Sequence, residues 1–310
     1  MSDPAAPPQS GTTHDAAPSA PPSRNPGSYD ELHRRAQDVF PMVFEGCRVA
    51  VQKGLSQHFQ VSHTLNISPN MTGYKFGATY VGSNVQGPGE AYPVILGDTD
   101  ASGNTTATVL HQFGPKWRTK LQAQIQKGEI AGAQGSFERK TDLYTAGITL
   151  ANTNILNDSG VFVAQYLRKL TDKLDVGMEY MNSYGPRIPG GSFSVLSTAA
   201  RYTTANWAAA LAFSKHSTHI SYFHKQAPNL AFGVEFTANA MHGDAVTTLA
   251  YQAELPDEGV TFRASVDTNW TVAGVMEKRL SQTLPFTIAL SGMLNHQKNA
   301  GKFGMGLIIG

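Results

Sequence analysis

The chain holds a single cysteine, Cys47, among 310 residues. That excludes an internal disulfide framework and suits a reducing, intracellular setting. Cys47 itself reads as a small packed hydrophobe rather than a nucleophile. Surplus charge is missing too: 24 Lys and Arg against 23 Asp and Glu leave a formal net charge of +1. With no excess of cations to neutralise phosphates, a nucleic-acid partner is not expected. No stretch of about 18 uncharged apolar residues occurs, so no transmembrane helix is expected either. Mean hydropathy is slightly negative. A membrane barrel with a wet lumen remains compatible with that value, because only half of its strand residues must be greasy.

Signatures of chemistry are equally sparse. There is no Walker loop, no dinucleotide fingerprint and no Gly-x-Ser-x-Gly elbow. Asp98-x-Asp100-x-x-Gly103 begins like a calcium loop, but Val109 stands at the twelfth position where a bidentate Glu is needed, and a hairpin turn is the better account. His216, His219 and His224 lie close together, yet 219 differs in strand parity from the other two and no carboxylate completes a ligand set. Asn104-Thr-Thr and Asn269-Trp-Thr fit the glycosylation pattern, which matters only in a secreted protein. The chain is therefore expected not to be an enzyme and to need no metal or cofactor.

What is present is a two-residue period. At the C-terminus Phe303, Met305, Leu307 and Ile309 share one parity, while Lys302, Gly304, Gly306 and Gly310 share the other, with Ile308 as an apolar intruder. Alternate residues of a strand point to opposite faces. An edge strand of a soluble sheet and the closing strand of a membrane barrel both fit this stretch alone. The same pattern recurs upstream. Leu55, Phe59, Val61, Leu65 and Ile67 alternate with Ser56, His58, Gln60, Ser62, Thr64 and Asn66. Leu174 to Tyr180, Leu230 to Thr237 and Val260 to Asp267 repeat it, separated by turn-formers such as Gly87-Pro88-Gly89, Asn157-Asp158-Ser159 and Gly190-Gly191. About eighteen such segments occur, each near the 9–11 residues that a tilted strand needs to cross a bilayer. A sandwich of seven to nine strands cannot hold so many, and one closed sheet removes every edge. The alternation is weaker at 218–225 and 270–279. Trp117, Trp207 and Trp270 lie near strand ends, where an interfacial belt would place them.

Residues 1–24 are Pro, Ala and Ser with no apolar run, and a disordered tail is expected there. The tail has neither the apolar core of a secretory signal nor the Arg-rich, acid-poor character of a transit peptide. Residues 25–47 form an N-terminal segment. Ser28 and Glu31 fit a capping box, Leu32, Ala36, Val39 and Phe40 make one apolar stripe, and Pro41 stops the helix after roughly three turns, or about 17 Å. The helix is expected either to cover the end of a sheet or to lie inside a barrel spanning 48–310.

Together these runs resemble the pore-forming subunit of the mitochondrial outer-membrane protein translocase, within the mitochondrial porin superfamily. The likeness covers residue 25 to the C-terminus. It is carried by Asn25-Pro26-Gly27, Leu55-Ser56-Gln57-His58-Phe59-Gln60-Val61-Ser62-His63-Thr64, Ser265-Val266-Asp267-Thr268-Asn269-Trp270 and Leu294-Asn295-His296. Lys302, Gly304, Leu307 and Ile309 match the spacing of the mitochondrial β-signal, polar-x-Gly-x-x-hydrophobic-x-hydrophobic. The resemblance implies an all-β, transmembrane, antiparallel β-barrel of about nineteen strands, with the first and last strands parallel and the helix inside the lumen. The direct count falls one short, so residues 46–54 hold a further strand or two segments have been merged. The resemblance also implies location in the mitochondrial outer membrane, contact with membrane lipid, mitochondrial precursor proteins as cargo, receptor and small single-span subunits as partners, and an oligomer of barrels.

If the polar parity faces the lumen, it carries Glu138, Asp175, Glu179, Glu235 and Asp267, together with Lys75, Arg118, Lys120, Arg201, Arg263 and Lys302. These are either a solvated wall of weak ion pairs or a path for basic presequences. The apolar Leu32, Val39 and Phe40 of a helix too short to stand alone need a patch on the inner wall. Val81 and Ile308 are the candidates, and Arg34 and Arg35 are expected to reach the opposite wall. Two other readings remain: a metabolite and ion channel of the same superfamily, and a soluble β-rich binding protein.

Overall fold

A computed structural model of the chain describes residues 25–69, 72–87, 90–154, 159–186, 188, 190–241, 243–281 and 285–310. The expected disordered tail at 1–24 and the turn residues Pro88, Gly89, Asn157 and Asp158 lie outside the described residues.

Nineteen strands follow one another along the chain. The first six are β1 (Gly46–Gly54), β2 (Phe59–Ile67), β3 (Gly73–Gly87), β4 (Glu90–Asp100), β5 (Thr105–Phe113) and β6 (Trp117–Gln126). Next come β7 (Glu129–Lys140), β8 (Tyr144–Asn154), β9 (Ser159–Lys169), β10 (Leu174–Tyr184), β11 (Ser192–Thr203) and β12 (Trp207–Ser214). The last seven are β13 (Ser217–Ala227), β14 (Leu230–Asn239), β15 (Asp244–Leu255), β16 (Val260–Asp267), β17 (Thr271–Arg279), β18 (Phe286–Asn295) and β19 (Ala300–Ile309). Each pairs antiparallel with its neighbour in sequence, and β1 pairs parallel with β19 from Gly46↔Gly304 to Val51↔Ile309. An odd number of strands makes that one parallel pair unavoidable, because an up-and-down ring closes antiparallel only when the count is even. The closure leaves no strand edge for another chain to template.

The missing strand of the sequence reading is β1, separated from β2 by a turn over Leu55–His58. Leu55 therefore precedes the strand it was expected to begin, and its backbone N–H instead bonds the Phe59 carbonyl across the turn at 2.9 Å. Tight turns account for the short connections. Between β6 and β7 Lys127 (φ 52°) and Gly128 (φ 85°) both take the left-handed region, the requirement of a two-residue hairpin that follows strand twist.

The N-terminal helix is shorter than expected. A 3-10 turn over Tyr29–Glu31 is followed by a single α turn, α1 (Arg34–Gln37). The Glu31 carboxylate accepts the Ser28 N–H at 3.4 Å, but the Ser28 hydroxyl donates away from the helix, to Glu138 of the barrel wall at 3.1 Å. Too short to be stable by itself, this segment takes its shape from the surface it lies on.

Candidate functional site

Side-chain parity divides the barrel into two surfaces. On β10, Asp175, Gly177 and Glu179 point into the lumen, while Val176, Met178 and Tyr180 are exposed on the outside. On β14, Gly233 and Glu235 point inward and Phe232, Val234 and Phe236 outward. The poorly alternating 218–225 stretch resolves the same way, with His219, Ser221 and Phe223 inside and Ile220, Tyr222 and His224 outside. Barrels of sixteen to eighteen strands already leave an aqueous channel, so the lumen of nineteen is too wide for wall side chains to fill.

Residues 25–45 cross that lumen. Asn25 donates to the Thr145 hydroxyl of β8 at 3.2 Å. The Pro26 carbonyl accepts from the guanidinium of Arg201, which also holds Asp175 at 2.7 Å, with side chains only 17% and 10% exposed. Gln165 donates to both Asp30 and Glu179 at 2.8 Å, joining the segment to β10. Leu32 packs with Leu167 and Ala199 in the buried cluster of the inner wall. His33 stacks on His219 with ring centroids 3.7 Å apart and bonds the Ser221 hydroxyl through Nδ1 at 2.7 Å. Burial, then the neighbouring His219, lowers the His33 pKa from 6.5 to about 4. Burial, then the charges of Glu179 and Asp30, pushes the Tyr29 hydroxyl up to about 12. His219 is paired with Glu235, which also accepts from Gln37 at 3.4 Å. The chain then reaches β18, where the Phe44 N–H donates to Ser291 at 3.0 Å, and Lys302 of β19 pairs with Glu45 at 3.4 Å.

Four of the five predicted lumen carboxylates thus lie along one track. Glu138, Asp175, Glu179 and Glu235 sit beneath or beside the N-terminal segment, each in a bond with it or with a side chain that holds it. Asp267 is apart, at the far end of β16, where its carboxylate accepts the Thr271 N–H of the hairpin. The docking patch is not the expected one. Leu32 meets Leu167, Ala199 and Ala212, and Val39 lies over Gly233, instead of Val81 or Ile308. Val81 is on β3, and Ile308 lines a hollow with Glu277 and Arg279. Arg34 pairs with Glu31 of its own segment at 3.4 Å and does not reach a wall carboxylate.

The wall is shaped for this contact. Gly177, Ala199, Ala208, Ala210, Ala212 and Gly233 occupy inward positions from β10 to β14. A Cβ on Gly233 would stand 3.0 Å from the Ala36 carbonyl and 3.3 Å from Val39. On β19 a Cβ at Gly304 would overlap the Phe44 carbonyl. A run of small residues on the inward parity of adjacent strands was the available sequence signal for the dock, and the expected apolar intruders distracted from it. Of the β-signal positions, Lys302 and Gly304 face the lumen, while Leu307 pairs with Val49 of β1 and Ile309 with Val51. Asp98 and Asp100 end β4, and the expected hairpin turn follows them, Asp100 accepting the Ser102 N–H at 2.8 Å and the Asn104 N–H at 2.9 Å.

A family model described as eukaryotic porin matches residues 25–304. The chain is 65% identical over 289 residues, 93% of its length and 96% of the relative, to the mitochondrial import receptor subunit TOM40 homolog of Caenorhabditis elegans. It is 43% identical to TOM40 homolog 2 of Drosophila melanogaster, covering 92% of this chain and 84% of that one. The Homo sapiens TOM40 homolog is 41% identical, with 92% and 78% covered.

Proposed function

The chain belongs to the eukaryotic porin family, in the branch of the TOM40 import receptor subunits, and from that premise we propose that it is the protein-conducting channel of the mitochondrial outer-membrane translocase. The 65% identity over nearly the whole of both chains carries the reading. The closed barrel supports it, since nineteen strands leave a water-filled passage across the bilayer. Unfolded precursor proteins pass through the lumen. Receptor and small single-span subunits, membrane lipid and further copies of the barrel surround it.

Mitochondrial presequences are Arg-rich and poor in acids. Glu138, Asp175, Glu179, Glu235 and Asp267 give the lumen a negative contribution that attracts such segments, while weak, multiple contacts let them leave. Because Glu138 and Glu235 also bond the N-terminal segment, and Asp175 and Glu179 bond the Arg201 and Gln165 that hold it, presequence and segment draw on the same wall. A synthetic presequence peptide added to the purified protein in a planar bilayer is expected to block conductance reversibly, and a same-length peptide with Arg replaced by Gln should block far less. Equal block by both peptides, or none by either, would favour the metabolite channel of the same family.

Lys302, Gly304, Leu307 and Ile309 direct insertion, Leu307 and Ile309 by forming the outer side of the closing parallel pair with Val49 and Val51. Replacing both with Ser should leave the protein imported and protease-protected yet unassembled on native gels. Normal assembly of that variant would remove the signal role.

A further inference from the structure

Charge on the outer face of a membrane barrel is costly, most at mid-bilayer and least at the interfaces. Among the described strand residues, Arg48, Arg118, Arg201, Arg263 and Arg279 point into the lumen, and Arg139 and Arg168 are the arginines on the outer parity. Arg139 is fixed there by its place over the Trp117 ring, 5.2 Å from the centroid, with Trp117 in turn stacked on Phe137 at 4.9 Å. Arg168 pairs in register with Tyr144 on one side and Val176 on the other. Both are exposed, and no ion pair is recorded for either among the described residues.

The two lie at the same rim, near the ends of β7 and β9, with only β8 between them. Arg139 is opposite Ala146, Ala146 is opposite Tyr166, and Tyr144 is opposite Arg168. Two strand spacings, about 10 Å, and two residues along the strand separate the two arginines, and Arg139, whose guanidinium lies over Trp117 of β6 on the side away from β8, reaches toward Arg168 by turning from that ring. The floor of the gap is the small side chain of Ala146, and Tyr144 and Tyr166 stack at 5.7 Å along its side. Lys116 stands at the adjoining turn, and Lys140, the last residue of β7, donates its N–H to the Lys116 carbonyl at 2.7 Å. Glu138, the sequence neighbour of Arg139, faces the lumen; Asp142 and Asp172 stand in the adjoining connections, and Asp172 is paired with Lys169.

We infer that Arg139 and Arg168 form a site for the headgroup of an anionic phospholipid, whose phosphate draws the Arg139 guanidinium from Trp117 and bridges it to Arg168 over Ala146, while its acyl chains run down the face of Phe137, Ile148 and Tyr166. Guanidinium forks suit phosphate, aromatic rings at the interface suit the glycerol region, and the outward parity makes the membrane the source of the ligand. The inference rests on the barrel spanning a membrane and not on what passes through its lumen.

The full-length protein in nanodiscs of phosphatidylcholine and phosphatidylinositol, released for native mass spectrometry, is expected to retain phosphatidylinositol. Arg139→Gln with Arg168→Gln should lower that retention roughly tenfold or more. Lys53→Gln with Lys278→Gln, which removes outer cations elsewhere, should leave it unchanged, and conductance should match in all three proteins. Equal retention by the parent and the arginine variant would overturn the site. In the otherwise unaltered chain, a photo-crosslinking residue at position 146 should capture phospholipid in native membranes. Capture of a protein instead would also overturn it, in favour of a docking surface for an acidic segment.

Discussion

Two ion pairs on the inner wall look alike in sequence and differ in kind. Arg201–Asp175 joins β11 to β10 at 2.7 Å under the N-terminal segment, with both side chains mostly buried. Lys75–Asp98 joins β3 to β4 at 3.3 Å on the uncovered arc, with side chains 50% and 46% exposed. The first pair works for the segment as well, since Arg201 also holds the Pro26 carbonyl. The second is bathed by lumen water and screened by its ions. One arc of this barrel, β7 to β14, is an interior surface with a partner, and the other, β2 to β6, is a wall of the passage. Alanine and glycine recur at the inward positions of the first, among its four carboxylates. Lysine, glutamine and threonine, with apolar Val81 and Leu96 among them, line the second.

The contrast is sharpest in stability. Asp175→Asn leaves Arg201 with a lost partner in a mostly buried place and should cost on the order of 3 kcal/mol in urea unfolding from lipid vesicles. Asp98→Asn should cost less than about 1 kcal/mol. Comparable losses at the two sites would erase the distinction between the arcs.

A smaller effect concerns pH. His33 is the titrating group of the dock, faced by His219, Glu235 and Arg201. The docked imidazole binds its proton only near pH 4, whereas a released one binds it near 6.5, so the released state takes up more protons between those values. Docking is fully favoured above about pH 6.5 and weakens as pH falls toward 4. A spin label at position 35, in a Cys47→Ser background, should gain mobility over that window, while one at position 79 on the open arc should not. A label at position 35 indifferent to pH would remove His33 from the latch.

Much of this molecule can be read along the chain, because parity is local. The inward direction of Glu138, Asp175, Glu179 and Glu235, and the outward direction of Val234 and Met305, follow from a period of two. What parity cannot supply is adjacency. Glu138 and Glu235 are brought to one track because residues 25–45 lie across several strands at once, and no pattern within a strand records that crossing. The helix is shorter than its pattern for a related reason: the stripe of Leu32, Ala36, Val39 and Phe40 is real, but Arg201 and Gln165 also hold Pro26 and Asp30 to the wall, contacts that no pattern within the segment records. Gly304 read as a signal residue, and the structure adds a packing reason, since the Phe44 backbone occupies the space its side chain would need.

The central claim is that the N-terminal segment is held inside the barrel against β7 to β14. With Cys47→Ser as background, Leu32→Cys and Ala199→Cys place two thiols where Leu32 now packs on Ala199. Mild oxidation of the membrane-inserted protein should join them in high yield, leave conductance close to that of the reduced channel, and produce no adduct of residue 32 with lipid-borne probes. Failure of that pair to join, together with labelling of residue 32 from the lipid or ready joining to a cysteine at Val81, would contradict the account.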